Sequence, residues 1–243
     1  MAKMKLANIQ FTVLAGKIDQ NQRTAESLIR QAADQGADLV CLPELFTTAH
    51  DFDSIRRISD ACFTKTSDWL SEMASSLKIH LLAGTLPEKT EGKFYNTAFF
   101  FNDSGDLLGK YRKIHLFPPM GEDVFFAAGQ DCPVFDTSWG RVGICICYDL
   151  RFPTQFADLA ARGAQIILVP AQFPHPRLDH WRILLRARAI DQHLFVAGCN
   201  RIGVSGQHWF CGHSCVISPW GEILSEAGER EGLVMAEIDL QSW

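Results

Sequence analysis

The feature that most narrows the fold is a switch of hydrophobic period that runs through the chain twice. In the first half the apolar stretch LANIQFTV reads as a buried strand. At 21–34 the pattern changes: Ala25, Leu28, Ile29, Ala32 and Ala33 fall on one face of a helix, with Asn21 placed to cap its start and Gly36 just past its end. A short strand, ADLVCLPE at 37–44, and a helix at 66–78 follow. In the second half the strand region PVFDTSWGRVGICIC is followed by a helix near 153–162, the strand AQIILVPA, a helix at 179–192 and the strand LFVAGCN. Strand–helix–strand order implies crossover connections and a sheet buried on both faces.

Each half also holds strands in succession. IHLLAGTLPE, FYNTAFFFND and DLLGKYRK read as three strands, with GTLPEKTEGK as a charged turn. GHSCVISP, GEILSEA and GLVMAEID read as three more near the end. So many strands predict two packed sheets flanked by helices, an α/β architecture. With 243 residues, 47% of them hydrophobic and 21% charged, one domain over 1–243 is the simplest organisation. The formal net charge of −5 and the scattered Lys and Arg argue against a nucleic-acid partner. No apolar run reaches transmembrane length, so no membrane partner is expected, and the N-terminus reads as a first strand and not a signal peptide. Eight cysteines without disulfide-scaffold clustering fit reduced thiols and a cytoplasmic location.

The chemistry is concentrated in GRVGICICYDLRFP, 140–153. Cys147 ends an apolar strand run and precedes polar residues, the place where open α/β sheets carry reactive groups. Cys145, two residues earlier, would point to the same face one step deeper. One reading makes Cys147 a nucleophile; the other makes both cysteines small core residues. A nucleophilic thiol needs a base and a cation. Glu44 in VCLPELF and Lys113 in GKYRKIHLF each follow a strand, where a charge is costly unless it is paired or used.

PELF, YRKIHLF and CYDLRFP, in that order, resemble the carbon–nitrogen hydrolase family, also called the nitrilase superfamily; HWRILLRARAIDQ and GHSCVISPWGEI resemble its later segments. The resemblance implies an α-β-β-α sandwich that pairs with a second copy into four layers, as a homodimer or higher homo-oligomer. It implies a catalytic Glu44, Lys113 and Cys147, with Glu122 as a second acidic residue and Asp123 beside it as a rival. Neither a metal nor a cofactor is implied. In this scheme Glu44 takes the thiol proton, Cys147 attacks a small amide, and Lys113 with the backbone N–H of Tyr148 stabilises the oxyanion. A thioester follows and ammonia leaves.

CYDLRFP looks more like amidases than nitrilases, and CNRIG with PHPRLDHWRILLRARAID most resembles the ω-amidase branch, which acts on 2-oxoglutaramate and 2-oxosuccinamate. Arg151 would then grip the substrate carboxylate, or else form an ion pair with Asp149 or Asp158. The loop PAQFPHPRLDHW lacks the Ser and Thr expected in that branch, so Phe173 and His175 are candidates to line the pocket. Family members commonly continue past the equivalent of EIDLQSW in a tail that crosses the dimer. The alternatives are an N-carbamoyl amidohydrolase, a nitrilase, or a catalytically silent binding subunit. CGHSC, 211–215, would place Cys211, His213 and Cys215 on one face of a strand, three soft ligands without a fourth.

Overall fold

The computed structural model describes residues 3–57 and 60–240, without the side chains of 60–63, Cys62 among them. Two large sheets form its middle. The first holds β1 (Met4–Gln10), β2 (Leu39–Cys41), β3 (His80–Leu82), β4 (Leu86–Thr90), β5 (Lys93–Phe101), β6 (Leu107–Arg112) and β15 (Gly232–Ile238). The second holds β7 (Val134–Asp136), β8 (Arg141–Ile144), β9 (Ile166–Ala171), β10 (Phe195–Asn200), β13 (Cys215–Ile217) and β14 (Ile223–Glu226). A hairpin of β11 (Ile202–Ser205) and β12 (His208–Cys211) stands apart. The helices are α1 (Ile18–Asp34), α2 (Phe52–Arg57), α3 (Asp60–Leu77), α4 (Glu122–Phe125), α5 (Pro153–Ala161) and α6 (Leu178–Gln192).

The two sheets face each other between helical layers, which is the α-β-β-α sandwich expected. β1 shows why. Met4 and Leu6 belong to the core shared with the second sheet, whereas Ala7 and Ile9 pack with Ala25, Ile29 and Ala32 of α1. A strand covered on both faces needs apolar residues on both, and this explains its long hydrophobic run. Asn8, on the inner face, donates from Nδ2 to the carbonyls of Gly198 and Cys215 and so ties the sheets together. On the far side Trp181 and Leu185 of α6 lie against the second sheet at β10, and Phe99, Phe100 and Phe101 are buried as the sequence suggests.

Four local expectations need correction. Helix α1 starts at Ile18, so Asn21 lies inside it; its amide bonds Leu14 and Thr47 instead of capping. IHLLAGTLPE is not one strand but two, β3 and β4, both pairing with β5 and broken around Gly84. GTLPEKTEGK is largely strand, its turn confined to Glu91–Gly92, and its Glu88 is buried against Arg112, Lys110 and Thr97. Those cations outweigh the opposing effect of burial and hold the Glu88 carboxyl down at about 2. CGHSC spans the end of β12 and the start of β13, with His213 between them at φ +54° and bonded to Glu226, so its three side chains share no strand face.

Candidate active site

The site forms where strand ends from both sheets converge. Glu44 follows β2, Cys147 follows β8, Gln172 follows β9 and Arg201 follows β10, all at the carboxyl ends of parallel strands. Lys113 follows β6, and its N–H donates to the Asn96 carbonyl at 2.9 Å.

The break between β3 and β4 makes room for Glu44. Gly84 sits at φ +52°, and a Cβ there would come within 2.0 Å of the Pro43 carbonyl oxygen. Only glycine allows that approach. Thr85 Oγ1 then accepts from the Leu45 N–H at 2.7 Å, fixing the turn that carries Glu44.

Lys113 Nζ lies 2.7 Å from Glu44 Oε1 and 2.7 Å from Glu122 Oε2. All three side chains are fully or almost fully buried. Burial alone would make the ammonium give up its proton more readily. Glu122 and Glu44 reverse that, and the net shift is upward. For Glu122, burial pushes up, but Lys113 and His50 prevail and hold the carboxyl well below the usual range. Asn96 Nδ2 donates to both carboxylates, at 2.8 and 3.2 Å, and the Gln172 N–H donates to Glu44 Oε2 at 2.9 Å. Glu122 opens α4 and faces this cluster, while its neighbour Asp123 is exposed.

Cys147 does not extend β8 as the sequence suggests. The strand stops at Ile144, and Cys147 begins a 3₁₀ turn at φ +47°, a left-handed conformation that strains a non-glycine residue. The two cysteines are therefore not consecutive same-face positions of one strand. Asp149 shapes the turn: its carboxylate accepts from the Ile146 N–H at 2.8 Å, the Tyr111 hydroxyl at 2.6 Å and the His115 N–H at 2.9 Å. Burial, and then Glu44, push the Cys147 thiol well up, and Lys113 only partly offsets them. At rest it is a thiol in need of a base. Cys145 is buried with no exposure, and burial followed by Asp149 raises it as well.

Cys147 opens onto a narrow cleft lined by Phe117, Tyr148, Arg151, Gln172, Phe173 and Arg177. Arg151 pairs with neither Asp149 nor Asp158; its Nη2 lies 2.9 Å from His180 Nδ1 and its guanidinium is 5.7 Å from the Phe173 ring centre. Arg177 stands over Phe117 at 5.4 Å, with no side-chain hydrogen bond or ion pair among the described residues. His175 is outside the cleft lining and stacks on Trp209. Among the described residues one group has the make-up of a metal site: Glu44, His50 and Glu122, with ligand atoms within 4.8 Å of one another. The Lys113 ammonium already fills the cation position between the two carboxylates.

Sequence reasoning did not pick out Asn96, Gln172, His50, Arg201 or Arg177. Two carried a usable signal: Asn96 is a polar residue inside an apolar strand, and Gln172 follows a buried strand as Glu44 does.

Fold and side chains define a class: a two-sheet α/β sandwich with one buried thiol beside a Glu–Lys–Glu cluster. The chain belongs to the carbon–nitrogen hydrolase family, whose profile matches residues 5–243. It is 37% identical to the 2-oxoglutaramate amidase of Bacillus subtilis (strain 168), over 98% of this chain and 92% of that protein. It is likewise 37% identical to the human omega-amidase NIT2, over 99% and 90%. Among solved structures it superimposes with a TM-score of 0.91 on a mutant of the amidase from Nesterenkonia sp. AN1, at 28% identity and covering 98% and 96% of the two chains. The active-site cysteine of that amidase carries acrylamide joined by Michael addition.

Proposed function

We propose that this chain hydrolyses the terminal amide of a short 2-oxo acid of the 2-oxoglutaramate type, with Cys147 as nucleophile. One observation carries the reading: a buried thiol faces a hydrogen-bonded Glu–Lys–Glu cluster on one side and a cleft holding two arginines on the other. The full-length identity to amidases named for that chemistry supports it.

Glu44 takes the Cys147 proton as sulfur bonds to the amide carbon. The carbonyl oxygen becomes an oxyanion held by Lys113 and the Tyr148 N–H, each donor worth roughly 3 kcal/mol in such a transition state. Glu44 returns the proton to nitrogen, the C–N bond breaks, and ammonia leaves a thioester. Water then attacks with Glu44 as base, and the acid departs as the thiol is restored. Glu122 holds Lys113 in place. Arg151 and Arg177 take the carboxylate, and Phe173 packs on the carbon chain.

The enzyme works as a single domain over residues 1–243, without a cofactor, and as a homodimer or larger assembly. Ile183 and Ile190 on α6 and Trp220 beside them present a large exposed apolar face that a second copy would cover. Among the described residues no helix is long and apolar enough to cross a membrane, and seven buried free cysteines suit a reducing compartment such as the cytoplasm.

The test is ammonia release from 2-oxoglutaramate, with Cys147→Ala as control. Release that vanishes in the variant is expected. No release from a folded protein whose Cys147 reacts with iodoacetamide would discard the substrate and keep the thiol hydrolase. An unreactive Cys147 would favour a silent binding subunit. Arg177→Met should raise KM about tenfold or more, with a smaller change in kcat.

A further inference from the structure

His50 lies outside the Glu–Lys–Cys set, just before α2, with a side chain only 8% exposed. Its Nε2 is 2.9 Å from Glu122 Oε1 and its Nδ1 is 3.3 Å from Gln172 Oε1. A neutral imidazole has one N–H and one bare nitrogen, so it fits only where one neighbour can donate. Glu122, ionised beside Lys113, cannot. The Gln172 amide could donate only if it were turned over, and two contacts forbid that. Its Oε1 accepts from Arg201 Nη1 at 3.1 Å, and its Nε2 donates to the Glu44 carbonyl at 2.7 Å. Turned over, the amide would set NH₂ against a guanidinium that only donates, and its oxygen against a carbonyl that only accepts.

Both ring nitrogens therefore meet acceptors. We propose that His50 is an imidazolium, the second cation of this site, and a positioning residue that balances Glu122 so that Lys113 is free to serve Glu44 and the oxyanion. The site then sets two carboxyl groups, Glu44 and Glu122, against two cations, Lys113 and His50.

The surroundings of His50 agree. Glu122 faces it from α4, Glu44 lies within 4.8 Å from the end of β2, and the Phe52 ring of α2 meets it edge-on. Asp51, next in the chain, turns away to Ser54. The opposing cations are Lys113, beyond both carboxylates, and Arg201, beyond Gln172. Arg201 is fully buried and, among the described residues, pairs with no carboxylate and has no hydrogen-bond partner for Nη2. Its role is to fix the Gln172 amide, and through it the protonation of His50.

The first experiment is ¹⁵N NMR of the histidine rings in the folded enzyme at neutral pH, with the His50 signals identified by their loss in His50→Gln. Two protonated ring nitrogens are expected; one bare nitrogen would overturn the proposal. The second follows Cys147 alkylation by iodoacetamide against pH in the parent, His50→Gln and His50→Asn. Both variants keep a polar group and lose the charge. Without the cation the carboxylates ionise less readily, so the acid limb should move up by about one pH unit. Turnover should fall about tenfold with KM nearly unchanged. An unmoved limb in a folded variant would make His50 merely structural and refute the positioning role. The role rests on the proposed reading of Glu44, Lys113 and Cys147, but the ring spectrum does not. If Cys147→Ala kept its turnover, the catalytic reading would fall while the imidazolium stood.

Discussion

Replacing Lys113 by Met tests the charge arrangement at its centre. The ammonium lies 2.7 Å from each of two buried carboxylates. At an effective dielectric constant near 20, each attraction is about 6 kcal/mol before desolvation is charged against it. Desolvation of three ions cancels much of that, and removing one partner of a buried pair typically costs about 3–5 kcal/mol. The methionine fills the space, so the loss is electrostatic. In the variant one carboxylate keeps its proton to higher pH when folded than when unfolded. A group with a raised folded value contributes stability below its unfolded value, and that contribution is lost as pH rises through the folded value. The deficit should therefore be largest near pH 8, about 3–5 kcal/mol or roughly 10 °C in Tm for a chain of this length, and should narrow toward pH 5. Urea unfolding followed by tryptophan fluorescence at several pH values measures it. A deficit that stays constant from pH 5 to 8 would show that Lys113 matters for packing and not for charge, and would refute the reasoning.

Cys145→Ala should lose about 1–2 kcal/mol of stability and keep its turnover, because its sulfur only fills core. Cys147→Gly should unfold at higher urea than Cys147→Ala, by about 1 kcal/mol, because glycine adopts the left-handed conformation without strain. Glu88→Gln bears on a carboxyl held down at about 2. A depressed group contributes stability above its unfolded value and loses it as pH falls through the folded one. The variant should be about 2 kcal/mol less stable at pH 7, allowing for solvent around Lys110, and equal to the parent near pH 2; an equal deficit at both ends would contradict this.

The layers of the fold were legible because a strand buried on both faces and a one-sided helix leave different periods. The hairpin β11–β12 was not, since its residues alternate too weakly to stand out from a loop. Glu44, Lys113 and Cys147 could be picked out because each follows a strand, where the sequence must explain a charge or a thiol. Glu122 entered only through the family resemblance, and the structure is what separates it from Asp123. Arg151 kept two readings in the sequence, and its actual neighbour, His180, was neither. His50, Gln172 and Arg201 touch one another although His50 and Arg201 stand 151 positions apart in the chain, a relation of distance that no local pattern encodes. The turn at Cys147 was misread because alternation predicts an extended strand, while Asp149, three residues from Ile146, captures that N–H and bends the chain.

The cluster is assembled from both ends of the polypeptide: Glu44, Asn96, Lys113 and Glu122 come first, Cys147, Gln172 and Arg201 later. During synthesis the charged half emerges well before the thiol, and the thiol before the β10 end that anchors Gln172. A nascent chain therefore cannot hold the complete cluster until the second sheet closes on the first. Any chemistry that needs the whole cluster waits for the second half of the chain, whatever the reactivity of the thiol alone.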